Sequence, residues 1–528
     1  MAEAELLIVG LLVAIAGLSA LAHRLGVPYP IVLVIGGAVF GFVPGLPRVE
    51  LDPEIVLLVF LPPLLYGAAF FTNLSDIRRN LRPLTLNSVG LVLATMAAVA
   101  VVAHSLIDGL PWAAAFALGA VVSPTDPLAG SLIMRRLGAP RMLVSSTEGE
   151  GLFNDATALV AYRVAVAAVV GGSFSLAEAG LSFVAGAVGG VLIGLAAGWL
   201  IAQIRSRVED AQVSITISLF SGYAAFVPAD AIGASGVLAA VTCGIYMGLR
   251  GPSIISARTR LQGHYFWDIF DFIINATLFV LIGLQLPTVL DGLEGLPAAD
   301  LVAYALAVSG VVILTRIAWF FAMPYVIRML DRRPAQRERR VGARQRLVAA
   351  WAGMRGSVSL AAALAIPIHT DTGAPFPQRD LIIFLTFAVI FATLVLQGLT
   401  LPMLIRRLGV VGGDEDHREE LKARLTATKA ALAQIDELEN ESWTRDDSVD
   451  RMRRAYQYRK RRLAAQAGVI EDEDGMEDRS LAYQQMVQAV LAAQRDSLVR
   501  LRDEGTISNQ VMNRVIQDLD LEESRLEI

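Results

Sequence analysis

Apolar residues along this chain gather into runs of about 20, the length an α-helix needs to cross a hydrocarbon core of roughly 30 Å. The runs cover residues 5–21, 28–46, 54–72, 84–107, 112–134, 142–170, 175–204, 211–228, 231–249, 264–288, 299–329, 347–368 and 380–405, and short polar loops separate them. The pattern predicts thirteen membrane-spanning helices. Only helices and closed barrels satisfy their backbone groups inside a bilayer, and runs of this length read as helices. The first run ends in Ala20-Leu21-Ala22, like a signal-peptide cleavage site, but Glu3 and Glu5 stand where a basic segment is expected, so it reads as an uncleaved span.

After residue 407 the pattern changes. Residues 408–528 carry 26 acidic and 18 basic residues, whereas residues 1–407 carry 24 and 27. A membrane domain over 1–407 and a helical tail over 408–528 are therefore expected. In the tail, Leu421, Leu425, Leu432, Ile435 and Leu438 share one helical face. Residues 446–466 hold seven basic side chains between Arg451 and Arg462, which reads mainly as a solvated charged helix, with self-docking or a membrane surface as the sharper alternatives. Nothing further points to nucleic acid.

With 55% hydrophobic and 18% charged residues, the composition fits a polytopic membrane protein. Arginine placement gives its orientation. Lysine is absent up to residue 407, and in that stretch 22 arginines fall in one set of alternate loops against two, Arg48 and Arg379, in the other. Positive residues mark the cytoplasmic side, so the N-terminus is expected outside and the tail in the cytoplasm, in the plasma or inner membrane. Three arginines, Arg163, Arg316 and Arg355, fall inside spans and need partners or a route to water; Arg163 reads as snorkelling outward. The single cysteine, Cys243, reads as a packed apolar residue.

The fifth run contains AVVSPTDPLAG, residues 120–130. Pro124 and Pro127 remove backbone donors and Asp126 brings a charge to mid-membrane. Such an interruption survives only where it lines a protein or water-filled cavity, and there Ser123, Thr125 and Asp126 offer oxygens suited to a hard monovalent cation. Asp126 as a plain helix cap is the plainer reading. In the sixth run, EGLFND at 150–155 puts Glu150 and Asn154 on one helical face, with Asp155 about 100° further round and able to meet Asp126. The twelfth run carries GMRGSVSL at 353–360, a second interruption seven spans after the first, the spacing of two inverted six-helix repeats whose discontinuous helices cross. Arg355 is expected to balance buried negative charge there.

Together SPTDP, EGLFND, LPPLLYGAAF at 61–70, LFVLIGLQLP at 278–287 and GMRGSVSL resemble the monovalent cation:proton antiporters of the NhaP and sodium/proton exchanger type. The resemblance covers nearly all of residues 1–407. It implies a homodimer in which spans one to three and seven to ten form a scaffold for a mobile core of spans four to six and eleven to thirteen. It implies Asp155 as the main acceptor of cation and proton, Thr125 and Asp126 as co-ligands, and Asn154 shaping the site. Glu150 would pair with Arg355, or with Arg316 as second candidate. Two family ligands are missing: Tyr66 and Gly67 stand where many members have an acid, and Gly151 where many have serine.

The activity implied is electroneutral exchange of a monovalent cation, sodium first and potassium or lithium as alternatives, for a proton, with no cofactor and no catalytic residue. A desolvated carboxylate holds its proton tightly and a bound cation opposes that hold, so the two ions compete for one site. An intramembrane aspartyl protease fits less well, since no Gly-x-Gly-Asp sequence is present. A channel lacks a repeated filter.

Overall fold

The computed structural model describes residues 2–44, 56–72, 81–171, 176–293, 296–330, 341–412, 415–439, 441–467, 469 and 476–524. The arginines at 48, 78, 79, 332, 333, 337, 339 and 340 lie outside them. The described chain is helical throughout, with one isolated bridge between His369 and Pro375.

The chain divides into two compact units, residues 1–412 and 413–528. In the first, α1 is Ala2–Leu25, α2 Tyr29–Gly41, α3 Leu61–Phe71 and α4 Leu81–Leu106. The interrupted fifth run forms α5, Trp112–Val122, and α6, Pro127–Arg136. Then follow α7 Arg141–Val170, α8 Leu176–Arg205, α9 Ala211–Ala231, α10 Gly236–Ile254, α11 Ala257–Leu284, α12 Leu286–Asp291 and α13 Ala298–Leu330. The second interrupted run forms α14, Ala343–Trp351, and α15, Ser357–Leu364; α16 is Arg379–Leu408.

Among the described residues nine helices are long and apolar enough to cross a membrane, and segments within α1, α2 and α3 are shorter apolar helices. This is a multi-pass membrane protein, although these lengths do not fix the number of crossings at thirteen. The eleventh helix begins at Ala257 rather than near 264, because the polar segment ARTRLQGH is capped by Ser256, whose hydroxyl accepts from Thr259 N at 3.2 Å, and so continues the apolar helix.

Lipid tails give apolar faces no reason to associate, so close packing decides which helices meet. The α2 and α11 helices cross at Gly37 and Gly283, where a Cβ on either glycine would collide with the other helix's backbone. Around α5, the side chains of Val99, Leu118, Val122, Val312 and Leu385 form a buried apolar cluster that fixes the first interruption in the interior. Cys243 is fully buried beside Tyr66, Ala225 and Met247.

In the second unit, α17 (Glu415–Leu438) packs on α18 (Asp446–Gln466), and α19 (Met476–Asp503) on α20 (Asn509–Ser524). Leu421 and Ile435 are buried, as the amphipathic pattern requires. Each hairpin is tied by one arginine: Arg453 to Asp436 and Glu439, Arg495 to Asp520 and Glu523. One residue of the basic helix thus docks within the tail itself, while Arg451, Arg454, Arg459, Lys460 and Arg461 stay exposed.

Candidate functional site

The two interruptions meet. Helix α5 stops at Val122, and α6 restarts with Pro127 in its first turn and Asp126 as its cap, the carboxylate accepting from Leu128 N at 2.9 Å. The Asp126 N–H, facing away from its own helix, donates to Met354 O at 2.8 Å in the second interruption. Arg355 answers in the other direction, donating from Nε to Val122 O at 3.1 Å, while its side chain also reaches Gly353 O and its N–H reaches Thr393 Oγ1 at 3.1 Å. A Cβ at Gly356 would strike the Asp126 carboxylate, so only glycine lets the chains pass this closely. Asp126 therefore lies at the start of both α6 and α15, where helix dipoles favour a negative charge.

Glu150 pairs with Arg316, not with Arg355. The expected Glu150–Arg355 pair is corrected by the fold: the Arg355 side chain is spent on carbonyls freed where the helices break. Arg316 fills the same office at the end of α14, donating to Ala350 O at 3.0 Å and Ala349 O at 3.3 Å, while its guanidinium lies 5.0 Å from the Phe320 ring centre. Both arginines are 1% exposed. Glu150 also accepts from Thr125 Oγ1 and Asn87 Nδ2, each at 3.3 Å, and its backbone oxygen accepts from Ser88 at 3.3 Å. Asn87 and Ser88 belong to a π-helical segment of α4, Leu86–Leu91, and were not singled out from the sequence. A lone asparagine in an apolar run gives little signal there.

Asn154 donates to Thr125 Oγ1 at 2.7 Å, which in turn donates to Glu150. The other end of the Asn154 amide, Oδ1, is buried without a partner. Ser123 is turned to its own helix, donating to Ala120 O at 2.9 Å. Asp155, one residue on, has no hydrogen bond or ion pair among the described residues, yet its carboxylate lies within electrostatic reach of Asp126. The result is a half-buried pair of carboxylates beside an unmet carbonyl oxygen and a hydroxyl, which is a donor set for a hard cation or a proton.

Residues 10–407 match the family described as sodium/hydrogen exchanger, transmembrane. The chain belongs to this family. It is similar to a Na(+)/H(+) exchanger of Mycobacterium tuberculosis, 39% identical over 98% of this chain and 95% of that protein. It is also similar to a sodium, potassium, lithium and rubidium/H(+) antiporter of Bacillus subtilis, 33% identical over 75% of this chain and 61% of that one. The sodium proton antiporter MjNhaP1 from Methanocaldococcus jannaschii, 19% identical, shares the fold with a TM-score of 0.58 over 77% of this chain and 99% of its own. The exchanger is accordingly a secondary cation/proton antiporter and not an enzyme.

At the two positions where the resemblance implies a missing ligand, there is no room for a side chain without a shift. A side chain at Gly151 would run into the Pro127 ring, and one at Gly67 into the Trp267 ring. Close to that absent Gly67 side chain stands Asp271 of α11, whose Oδ1 is buried with no hydrogen-bond partner among the described residues. This acid was not singled out from the sequence, although it falls inside the run 264–288. Arg163, expected to snorkel, is exposed and also pairs with Asp230 of α9 at 2.5 Å.

Proposed function

We propose that this exchanger moves one sodium ion against one proton, with Asp155 as the shared acceptor, Asp126 beside it, and Thr125 and Asn154 shaping the site. The observation that carries this reading is the contrast in satisfaction. The polar groups around Asp155 bond to one another, whereas the Asp155 carboxylate and Asn154 Oδ1 have no hydrogen-bond partner among the described residues. Buried polar atoms left unmet in a native fold call for an unseen partner, here the transported ion. Dequenching of a pH dye in everted vesicles, scanned over sodium, lithium, potassium and pH, tests it; no cation-dependent proton movement at any pH would refute it.

The charge count supports one-for-one exchange. Arg316 offsets Glu150, so Arg355, Asp126 and Asp155 together carry one net negative charge when empty and none when loaded with either one monovalent cation or one proton. Both loaded forms then present the same charge to the membrane field, and the empty form alone is charged. A site that opens alternately to the two sides and moves readily only when neutral couples the two fluxes. Voltage does about 2.3 kcal/mol of work per charge per 100 mV, so it would bias any exchanger whose loaded forms differed. In proteoliposomes with the potential clamped, the rate at a fixed sodium and pH gradient should be flat. A rate that follows voltage would rule out this count.

One observation favours a broader cation range as second reading: the family's two further ligand positions are glycine here, Gly67 and Gly151, which leaves fewer groups to measure ion size. The Bacillus subtilis relative is named for four alkali cations. The same cation scan separates the readings. By the arginine bias, the N-terminus faces outward and the tail lies in the cytoplasm as a regulatory unit, and the exchanger works as a homodimer. Protease accessibility from each side and cross-linking in the membrane test these three statements.

A further inference from the structure

Away from the carboxylate site, α3, α8, α9, α10 and α11 enclose a cavity of about 540 Å3. Its polar lining is Arg205, Ser218, Thr259, Arg260 and His264, and no carboxylate lines it. Ser218 is engaged by Trp267 Nε1 at 3.3 Å, and Arg260 donates to Ile255 O at 2.5 Å. Arg205 is the exception. It is 4% exposed, donates from Nε to Ser214 at 3.1 Å and interacts with the Tyr66 hydroxyl, and its Nη1 has no hydrogen-bond partner among the described residues. No acid pairs with it among the described residues. Of the two acids in the α8–α9 loop, Glu209 is exposed and Asp210 caps α9, accepting from Val213 N at 2.9 Å.

A buried guanidinium without a counter-charge is costly, and buried charges in native proteins are otherwise paired or hydrogen-bonded. Here the cavity leads from the unpaired group to a rim where Phe71, Leu261, Arg260 and His264 are exposed. Arg205, Arg207, Arg250, Arg258 and Arg260 share this end of the domain in the sequence pattern. The site thus combines a planar cation with an unmet N–H at depth, further positive groups at the mouth, and apolar walls between them. A guanidinium in that setting matches a phosphate group, and apolar walls suit a group carried on a hydrocarbon chain.

We propose that this cavity binds a phosphate-bearing anion at Arg205, supplied by the headgroup of an anionic phospholipid. The bound anion completes the charge balance of the α3–α8–α9–α10–α11 bundle without touching Asp126 or Asp155. Lipid composition would then set the stability of this bundle independently of the transported ion.

The test uses the full chain, purified in neutral detergent and depleted of lipid, with thermal stability and native mass spectrometry as readouts. Phosphatidylglycerol, phosphatidylethanolamine and inorganic phosphate are added separately to wild type, Arg205→Gln and Arg205→Lys. Wild type should retain and be stabilised by phosphatidylglycerol and not by phosphatidylethanolamine, and Arg205→Gln should bind at least about tenfold more weakly. Without anion, Arg205→Gln should be no less stable than wild type, because it deletes an unpaired buried charge, so the two stabilities should cross as anion is added. Stabilisation by inorganic phosphate alone would support the site with a soluble source. Equal response of wild type to both lipids with none to phosphate, or an equal anion response in Arg205→Gln, would overturn it. If Arg205→Gln does not fold, Arg205→Lys carries the test: it keeps the charge but loses the fork, and an unchanged affinity counts against the proposal.

Discussion

Glu150 and Asp155 stand five residues apart on α7, about 7.5 Å along the axis. They are the same kind of group in the same membrane interior, and their surroundings differ. Glu150 is 2% exposed and held by Arg316, Thr125 and Asn87; Asp155 is half-buried and makes no hydrogen bond or ion pair among the described residues. A carboxylate whose bonds are all made inside the fold has no reason to release them, and it braces the helices around it. One whose bonds are not made is available to an ion that comes and goes. On the proposed function, the difference divides the site into a fixed frame and a working group on one helix.

The largest effect should come from removing the working group. Asp155→Asn should reduce cation-coupled proton movement to the level of empty vesicles while changing stability by about 1 kcal/mol or less, because no protein bond is lost. Wild-type dequenching by a well-expressed Asp155→Asn protein would put the working group elsewhere. Asp126→Asn should come close in transport, yet keep the α6 cap, since asparagine caps as well as aspartate; Asp126→Ala should lose about a further 1 kcal/mol.

Removing part of the frame should act through folding instead. Glu150→Ala or Arg316→Ala breaks a buried ion pair, at about 3 to 5 kcal/mol, and the yield of folded protein should fall with it. Replacing both should be gentler than either alone. Thermal stability of the singles and the double checks the pair; normal stability in both singles would mean that Glu150 is not braced by Arg316. Thr125→Ala sits between frame and working group, and its loss should cost about 1 to 3 kcal/mol by stranding the Asn154 amide, with transport reduced rather than abolished.

The partners of Glu150 were less legible in the sequence than the two interruptions, for a physical reason. Hydropathy marked the helices to within a few residues in most cases, because it is a local property of a chain in a bilayer. Pro124, Pro127, Gly353 and Gly356 announced the two interruptions for the same reason. The choice between Arg316 and Arg355 as partner of Glu150 is not local: it turns on which guanidinium is needed by the carbonyls at Val122 and which by those at Ala349 and Ala350, and that is decided only when the interruptions cross. Asp271 was hidden in a different way, since no motif marks it and its neighbours at Trp267 and Gly67 come from two helices that meet only in the fold.

The smallest effect should come from the exposed counterpart of the Glu150 pair. Arg163, eight residues beyond Asp155 on α7, meets Asp230 with the two side chains 55% and 44% exposed. Water competes at both ends, so the pair should contribute about 0 to 1 kcal/mol, against the several expected for Glu150 and Arg316. It nonetheless joins α7 to α9, and under the core-and-scaffold division implied by the family resemblance these helices move against each other. Whatever the pair contributes would then bias one side of the transport cycle, and 1 kcal/mol is about fivefold in such an equilibrium. A double-mutant cycle with Arg163→Gln and Asp230→Asn, read both as thermal stability and as transport rate, should show coupling of no more than that in stability and a change of up to about fivefold in rate. Coupling as large as that of the buried pair would erase the contrast between water-exposed and buried charges on this helix. Strict additivity in both readouts would make the contact a surface encounter with no part in the cycle.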